Sequence, residues 1–252
     1  MAGPAFVAQK GEDRRRAVAD FLKRLPATTE IPTDDWPYLY LSRRGISGFY
    51  LALIGIFGSL AVLGVSLTSR EMRMSLRGGR QADREMFLFG LAFLLLETKA
   101  VTGMNLVWGA TWLTSAIVFG SILLTILLAT VATELRPIPW RASAAALVGS
   151  LLAVYACPVE LLLGFAPAAR LAFSLVYVGI PIFFAATTFA LLFREREDSA
   201  IAFGWNVLGA VAGGLLEFLS MAIGLRALFL VALAAYLTAF LIRLRMPASR
   251  NA

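Results

Sequence analysis

Long apolar runs separated by short polar segments fill the chain from residue 46 onward. Seven of these runs approach the roughly 20 residues that an α-helix needs to cross a bilayer. They cover residues 46–67, 86–104, 111–133, 142–164, 169–193, 202–223 and 227–244. The pattern predicts an all-α fold, a polytopic transmembrane helix bundle of about seven spans.

Two of the predicted spans contain a proline, Pro158 in the fourth and Pro181 in the fifth. Proline lacks the amide hydrogen that would bond to the carbonyl four residues earlier, and so it kinks a helix. We therefore expect a kink near Val154 and a second one around Pro181. Glu160 follows Pro158 close to the expected membrane edge, and we interpret it as an acid exposed at the interface.

The first 45 residues are polar and form a predicted extramembrane arm, followed by a transmembrane domain (46–244) and a basic tail (245–252). Within the arm, apolar residues of the stretch 13–25 recur at helical spacing opposite basic ones. This pattern is typical of a short amphipathic helix lying on a membrane surface. A solvated flexible tail is the alternative.

Aromatic residues flank the predicted spans. Tryptophan and tyrosine are enriched at the headgroup level of bilayers because one end of each ring is polar. We expect four of them to act as interfacial anchors: Trp36, Tyr38, Tyr40 and Trp140.

Composition agrees with a membrane protein and narrows the chemistry. The chain is 59% hydrophobic and 15% charged, against roughly 25% charged residues in soluble proteins. Histidine is absent, which excludes histidine-ligated haem and zinc sites and Ser-His-Asp catalysis. The single cysteine, Cys157, excludes an intrachain disulfide and is expected to be a small buried hydrophobe. We expect no metal, no cofactor and no enzymatic activity.

The net charge of +7 is distributed over loops, which favours contact with anionic lipid over nucleic-acid binding. The loops after the first, third and fifth spans hold, with the C-terminal segment from Arg243 onward, 12 Lys and Arg, whereas the other side has two, Arg170 and Arg226. The positive-inside rule then predicts a cytoplasmic C-terminus in a bacterial inner membrane. Eight basic residues in the arm argue the other way, unless the first span does not fully cross.

The second span contains two charges, Glu97 and Lys99. At ~100° per residue they point about 200° apart and cannot pair with each other. Charged residues inside a membrane face protein or trapped water and mark functional sites or structural ion pairs. Thr102 shares a stripe with Lys99, and Asn105 lies on a neighbouring one.

The sixth span carries a second polar group on one narrow helical face. Asn206, Gly209, Gly213 and Glu217 are spaced by three, four and four residues. Gly209 and Gly213 form a small-residue motif that allows close helix packing. We predict that this face packs against a neighbour and that Glu217 pairs with Lys99. Such a network would fix helix register, hold a cation or proton on a transport path, or contact a partner subunit.

Three segments carry a resemblance to a known family: TDDWPYLYL (33–41), FLFGLAFLLLETKAVTGMNLVWGATWLTS (87–115) and AFGWNVLGAVAGGLLEFLSMAIGLRAL (202–228). Over roughly residues 30–240 the chain resembles the C-terminal membrane half of bacterial fused major-facilitator/spermidine-synthase-like proteins. The glycine-rich nucleotide loop of the aminopropyltransferase-like domain does not occur before Thr33. The resemblance therefore implies a membrane module without polyamine synthesis, and Asp34 and Asp35 are not carried over as catalytic.

These observations favour a non-catalytic integral membrane module, an accessory or scaffolding subunit that packs against other membrane proteins. The alternative is a transporter-like protein for a small cation or amine that uses Glu97, Lys99 and Glu217. An enzyme acting in the membrane is a weaker third hypothesis, because no nucleophile or metal cluster accompanies these carboxylates.

Overall fold

The computed structural model describes residues 16, 20, 33, 35–38, 41, 43–68, 70–78 and 81–246, and this part of the chain is helical as predicted. Its helices are α1 (Gly48–Thr68), α2 (Arg70–Gly78), α3 (Gln81–Trp108), α4 (Trp112–Leu135), α5 (Trp140–Ala156), α6 (Pro167–Arg194), α7 (Ser199–Leu216), α8 (Ser220–Ile223) and α9 (Leu225–Arg245). Short 3-10 turns, Val159–Gly164 and Glu217–Leu219, precede α6 and α8.

Six stretches of the described chain are long and apolar enough to cross a membrane: α1, α3, α4, α6, α9 and the continuous stretch Ser199–Ile223. The 17 residues of α5 make a seventh, shorter apolar helix. At 1.5 Å per residue α5 is about 26 Å long, somewhat less than the ~30 Å of a hydrocarbon core. The predicted polytopic bundle of about seven spans is confirmed.

Helix α3 is the centre of the bundle. It packs along α7 on one side and along α9 on another, while α6 packs against α4 and α5. Phe89 of α3 meets the rings of Tyr236 and Phe240 of α9 at centroid distances of 5.6 Å and 5.8 Å. Because the three aromatic side chains are buried, they form a large part of the apolar contact between these helices.

Helices α3 and α7 touch backbone to backbone. A Cβ atom added at Gly209 would overlap the carbonyl oxygen of Phe87, and one added at Gly90 would overlap that of Asn206. At Gly213 it would lie 2.6 Å from the Leu91 carbonyl oxygen. Glycine on both sides of the crossing is therefore what allows this approach.

The prediction of the fourth span as one helix is wrong for its second half. The sequence pattern predicts one kinked helix over 142–164, whereas α5 ends at Ala156 and Pro158 begins the separate 3-10 turn Val159–Gly164. Pro158 has backbone angles of φ −62° and ψ 134°, an extended conformation that no α-helix can contain. Pro181, in contrast, lies inside the unbroken helix α6.

The two ends of the bundle differ in charge. The basic end comprises the loops after α1, α4 and α6 together with the end of α9. In the described part of this end, ion pairs join its elements: Arg196–Glu85, Arg194–Glu134 and Arg243–Glu195. Glu85 is fully buried, so its pairing with Arg196 compensates a charge that would otherwise be costly. The opposite end, called the cavity end below, comprises residues 33, 35–38, 41, 43–47, 109–111, 157–166 and 217–224.

The segment before α1 packs on the cavity end. Trp36 is 0% exposed, and its indole nitrogen donates to the Met221 carbonyl at 2.7 Å. The prediction that Trp36 anchors the protein in lipid headgroups is wrong, because the ring is enclosed by protein and its polar atom bonds to backbone. Burial raises the pKa of the Tyr38 hydroxyl, which lies 2.5 Å from the Ser220 hydroxyl.

Trp140, at the basic end, is half-buried between the guanidinium groups of Arg141 and Arg243, 5.7 Å and 5.8 Å from its ring centre. Three predictions lie outside the described residues. These are the anchor Tyr40, the basic tail beyond Met246, and the amphipathic helix over 13–25, of which only Arg16 and Asp20 are described, both helical.

Candidate functional site

A cavity of about 340 Å³ opens between α3, α5, α6 and α9 at the cavity end. Its walls are mostly apolar and include Leu96, Met104, Val178, Ile182 and Phe229. Within the described part of the chain, four formal charges interrupt these walls, and they are carried by Asp35, Lys99, Glu160 and Arg226. A concave, largely apolar cavity with a few converging polar groups is the usual form of a small-molecule site.

Of these charged residues, Lys99 lies deepest below the cavity end of the bundle. It lies nine residues before the end of α3 at Trp108, which places its Cα about 14 Å below that end of the helix. The structure describes no hydrogen bond or ion pair of the Lys99 ammonium within the ranges it covers. Asp35, Arg226 and Glu160 lie in the wall of the same cavity as Lys99.

Asp35 holds the N-terminal segment beside the cavity through hydrogen bonds to the beginning of α9. One carboxylate oxygen accepts from the Arg226 amide at 2.6 Å, and the Asp35 carbonyl accepts from the Leu225 amide at 2.9 Å. These are first-turn amides of α9, which have no partner within their own helix. Gly224 precedes them with a φ of 87°, and a side chain there would lie 2.6 Å from the Asp35 carboxylate.

The C-terminal turn of α5 forms another wall of the cavity. The Tyr177 hydroxyl lies 3.2 Å from the Val154 carbonyl and 3.1 Å from that of Cys157, and can donate to either. The end of α5 still directs the negative pole of its helix dipole toward this region. Cys157 lines the cavity and is exposed, so the expectation that it is a buried hydrophobe is wrong.

Glu160 lies on the 3-10 turn after α5 and is exposed at the cavity wall. Among the described residues it forms neither a hydrogen bond nor an ion pair. Its exposure agrees with the interpretation as an interface acid. It also lines the same cavity as Lys99, and the two opposite charges form no ion pair in the described structure.

The predicted pairing of Glu217 with Lys99 is wrong. Glu217 accepts instead from the Thr98 hydroxyl at 3.3 Å. Thr98 continues the α3 stripe that faces α7, which includes Phe87, Leu91 and Leu94. Lys99 is one residue further, about 100° around the helix, and its side chain lines the cavity on the α5, α6 and α9 side.

The other predicted polar residues are dispersed along α3 and α7. Thr102 donates to the carbonyl of Thr98, within its own helix, at 2.9 Å. Asn206 donates to the Met86 carbonyl at 3.3 Å, and its position stabilises the helix crossing near the basic end. Glu97 and Asn105 are half-buried and line no part of the cavity. The six predicted site residues therefore do not form one network.

Three cavity residues were not identified as candidates from the sequence: Asp35, Arg226 and Tyr177. Arg226 reads as an ordinary loop cation, and Tyr177 is one aromatic residue in an apolar run. The sequence offered one indication for Asp35, because this residue lies in a tryptophan- and tyrosine-rich segment directly before the first span. Only the fold brings that segment to the beginning of α9.

No family model, no curated protein and no solved structure matches this chain. The geometry of the cavity is therefore the main support for a functional proposal.

Proposed function

We propose that this protein is a transporter-like integral membrane protein that binds a small organic molecule in the cavity beside Lys99. The observation that carries the proposal is the Lys99 ammonium, which lies inside a membrane helix, lines a cavity and has no ionic partner among the described residues. A charge in that position is costly unless water or a ligand compensates it. The proposed role is therefore binding and movement of that molecule.

The proposed orientation follows from the charges of the two ends. The basic end carries most of the loop arginines, and the positive-inside rule places such loops in the cytoplasm. The cavity would then open toward the outer face of the proposed bacterial inner membrane, under the segment of Asp35 and Trp36. A ligand would reach Lys99 from that side, and Pro181 in α6 would supply a flexible point for the movement.

A chemically unbiased experiment tests whether the cavity holds a ligand. The wild-type protein and the cavity-filled variant Ala100→Phe are purified from native membranes under mild detergent, and the small molecules they retain are compared by mass spectrometry. Ala145→Phe, at an exposed position of α5, is the matched control. We expect a compound retained by wild type and Ala145→Phe but lost from Ala100→Phe. Equal small-molecule content in all three proteins would contradict the proposal.

A second function, an accessory or scaffolding subunit, is favoured by α1. None of its apolar window Gly48–Val65 is buried in the protein, and large apolar side chains such as Phe57, Leu60 and Leu63 are exposed on it. A photo-crosslinking residue at Phe57, which is 54% exposed, would capture such a subunit, whereas the same residue at Leu124 of α4 serves as control. Crosslinks to lipid alone at both positions would exclude an α1 partner.

A further inference from the structure

Among the residues that the structure describes, the formal charges that line the cavity are balanced. Lys99 and Arg226 contribute two positive charges, and Asp35 and Glu160 contribute two negative ones. The Asp35 carboxylate already has a hydrogen-bond partner, because it accepts from the Arg226 amide in the first turn of α9. Lys99 and Glu160 have no such bonds in the described structure. The Arg226 side chain has none there either, but it carries the same sign as Lys99, so Lys99 and Glu160 represent the two signs of charge that a ligand can satisfy.

These two charges have opposite signs and lie on different elements, Lys99 on α3 and Glu160 on the 3-10 turn after α5. If the cavity were only a packing feature, a direct ion pair between Lys99 and Glu160 would be the simplest way to compensate both charges. They face the same cavity and form no ion pair, which leaves space for a molecule between them. A molecule with one charge of each sign would compensate both at once.

Each charge has a second feature of the same sign beside it. Near Glu160, the carbonyl end of α5 adds a partial negative charge, which favours an ammonium group. Arg226 lines the same cavity as Lys99, and a second positive charge there favours a carboxylate. The apolar walls formed by Leu96, Met104 and Phe229 suit an aliphatic or aromatic body.

We propose, on the basis of the proposed binding function, that the cavity selects small zwitterions of the amino-acid type, with the carboxylate toward Lys99 and the ammonium toward Glu160. This differs from the small cation or amine of the transporter alternative that the sequence left open, because the deepest charge in the cavity is positive. An amine alone would leave Lys99 uncompensated, and a carboxylate alone would leave Glu160 uncompensated.

The test uses three probes of similar apolar body: leucine, isocaproate, which lacks the ammonium, and isoamylamine, which lacks the carboxylate. Binding to the purified full-length protein is measured by calorimetry, with thermal stability as a second readout. We expect leucine to bind at least about tenfold more tightly than either analogue, which corresponds to about 1.4 kcal/mol.

Two variants assign each charge. Lys99→Met should remove the advantage of leucine over isoamylamine, while its advantage over isocaproate remains. Glu160→Gln should do the reverse. This crossed pattern cannot arise from misfolding, because a misfolded protein loses affinity for all probes together. Lys99→Gln, checked by size-exclusion chromatography, replaces Lys99→Met if that variant does not fold.

Two results would overturn the inference. One is an analogue that binds wild type as tightly as leucine, and the other is failure of all three probes to bind. Neither result decides the proposed function itself, which depends on the compound retained in the co-purification experiment.

Discussion

The Asp35 carboxylate accepts a hydrogen bond from the Arg226 amide at 2.6 Å, although the two residues are 191 positions apart. This bond joins the segment before the first membrane helix to the first turn of the last one. It satisfies an α9 amide that would otherwise lack a partner, and it holds the segment that contributes Thr33 and Asp35 to the cavity wall.

Removal of the Asp35 side chain should destabilise the protein. Loss of a carboxylate that caps a helix typically costs about 1 kcal/mol, so Asp35→Ala should lower the free energy of unfolding by that amount. Asp35→Asn is the control, because the amide oxygen still accepts a hydrogen bond from the Arg226 amide. Denaturant titration in detergent measures both. Equal losses for alanine and asparagine would show that charge, and not capping, is what Asp35 contributes.

The α3–α7 crossing should be intolerant of a single methyl group. Gly209→Ala places a Cβ atom on the Phe87 carbonyl, and overpacking of this kind costs about 1–3 kcal/mol. Gly149→Ala in α5 is the matched control, because a Cβ atom there meets no atom within 4 Å. Thermal unfolding monitored by size-exclusion chromatography should show a lower midpoint for Gly209→Ala only. Equal midpoints would contradict the backbone contact at Gly209.

Part of this architecture was predictable from sequence. The spacing of Gly209 and Gly213 identifies the face of α7 that packs on α3, because small residues four apart have few other uses in a membrane helix. The partner glycine, Gly90, was not predicted, since a single glycine in an apolar run gives no periodic signal. Hydropathy locates the spans because it detects long apolar runs. For the same reason it misses the end of α5, where the backbone changes but the apolar run continues. The run from Ala142 to Gly164 remains apolar across the break at Pro158.

The candidate site was harder to predict than the fold. Charge pattern identified Lys99 as unusual but suggested the wrong partner, because Glu217 lies on the stripe of Thr98 and not on that of Lys99. Which of two neighbouring stripes faces which helix depends on the packing of the whole bundle. Likewise, nothing in the local sequence of Trp36 distinguishes a tryptophan in the headgroup region from one enclosed by protein.

The buried ion pair at the basic end should behave differently from the exposed one beside it. Glu85→Ala leaves Arg196 unpaired in a buried site, which costs about 3–5 kcal/mol. The double variant Glu85→Met with Arg196→Met should recover most of this loss. Glu195→Ala, which breaks the more exposed pair with Arg243, should cost about 0–1 kcal/mol. Denaturant titration that shows equal losses for Glu85→Ala and Glu195→Ala would contradict the burial of the first pair.

Cys157 is a natural reporter of orientation, because it is the single cysteine of the chain and is exposed at the cavity end. A membrane-impermeant maleimide added to intact bacterial cells or spheroplasts should label it if that end faces outward. Cys157→Ser supplies the background. Labelling that requires membrane disruption would reverse the proposed orientation.

Chemical labelling of Lys99 tests the central claim, a reachable cavity beside an uncompensated ammonium, most directly. The folded protein is treated with formaldehyde and a borohydride reductant, and dimethylation of each lysine is followed by peptide mass spectrometry. Lys10 and Lys23, the other two lysines of the chain, report reagent activity. We predict that Lys99 reacts in the wild type and in Ala145→Phe but at least about tenfold more slowly in Ala100→Phe, because the added ring fills the cavity. A Lys99 that stays unreactive, or that reacts equally in all three proteins, would contradict the claim of a reachable cavity.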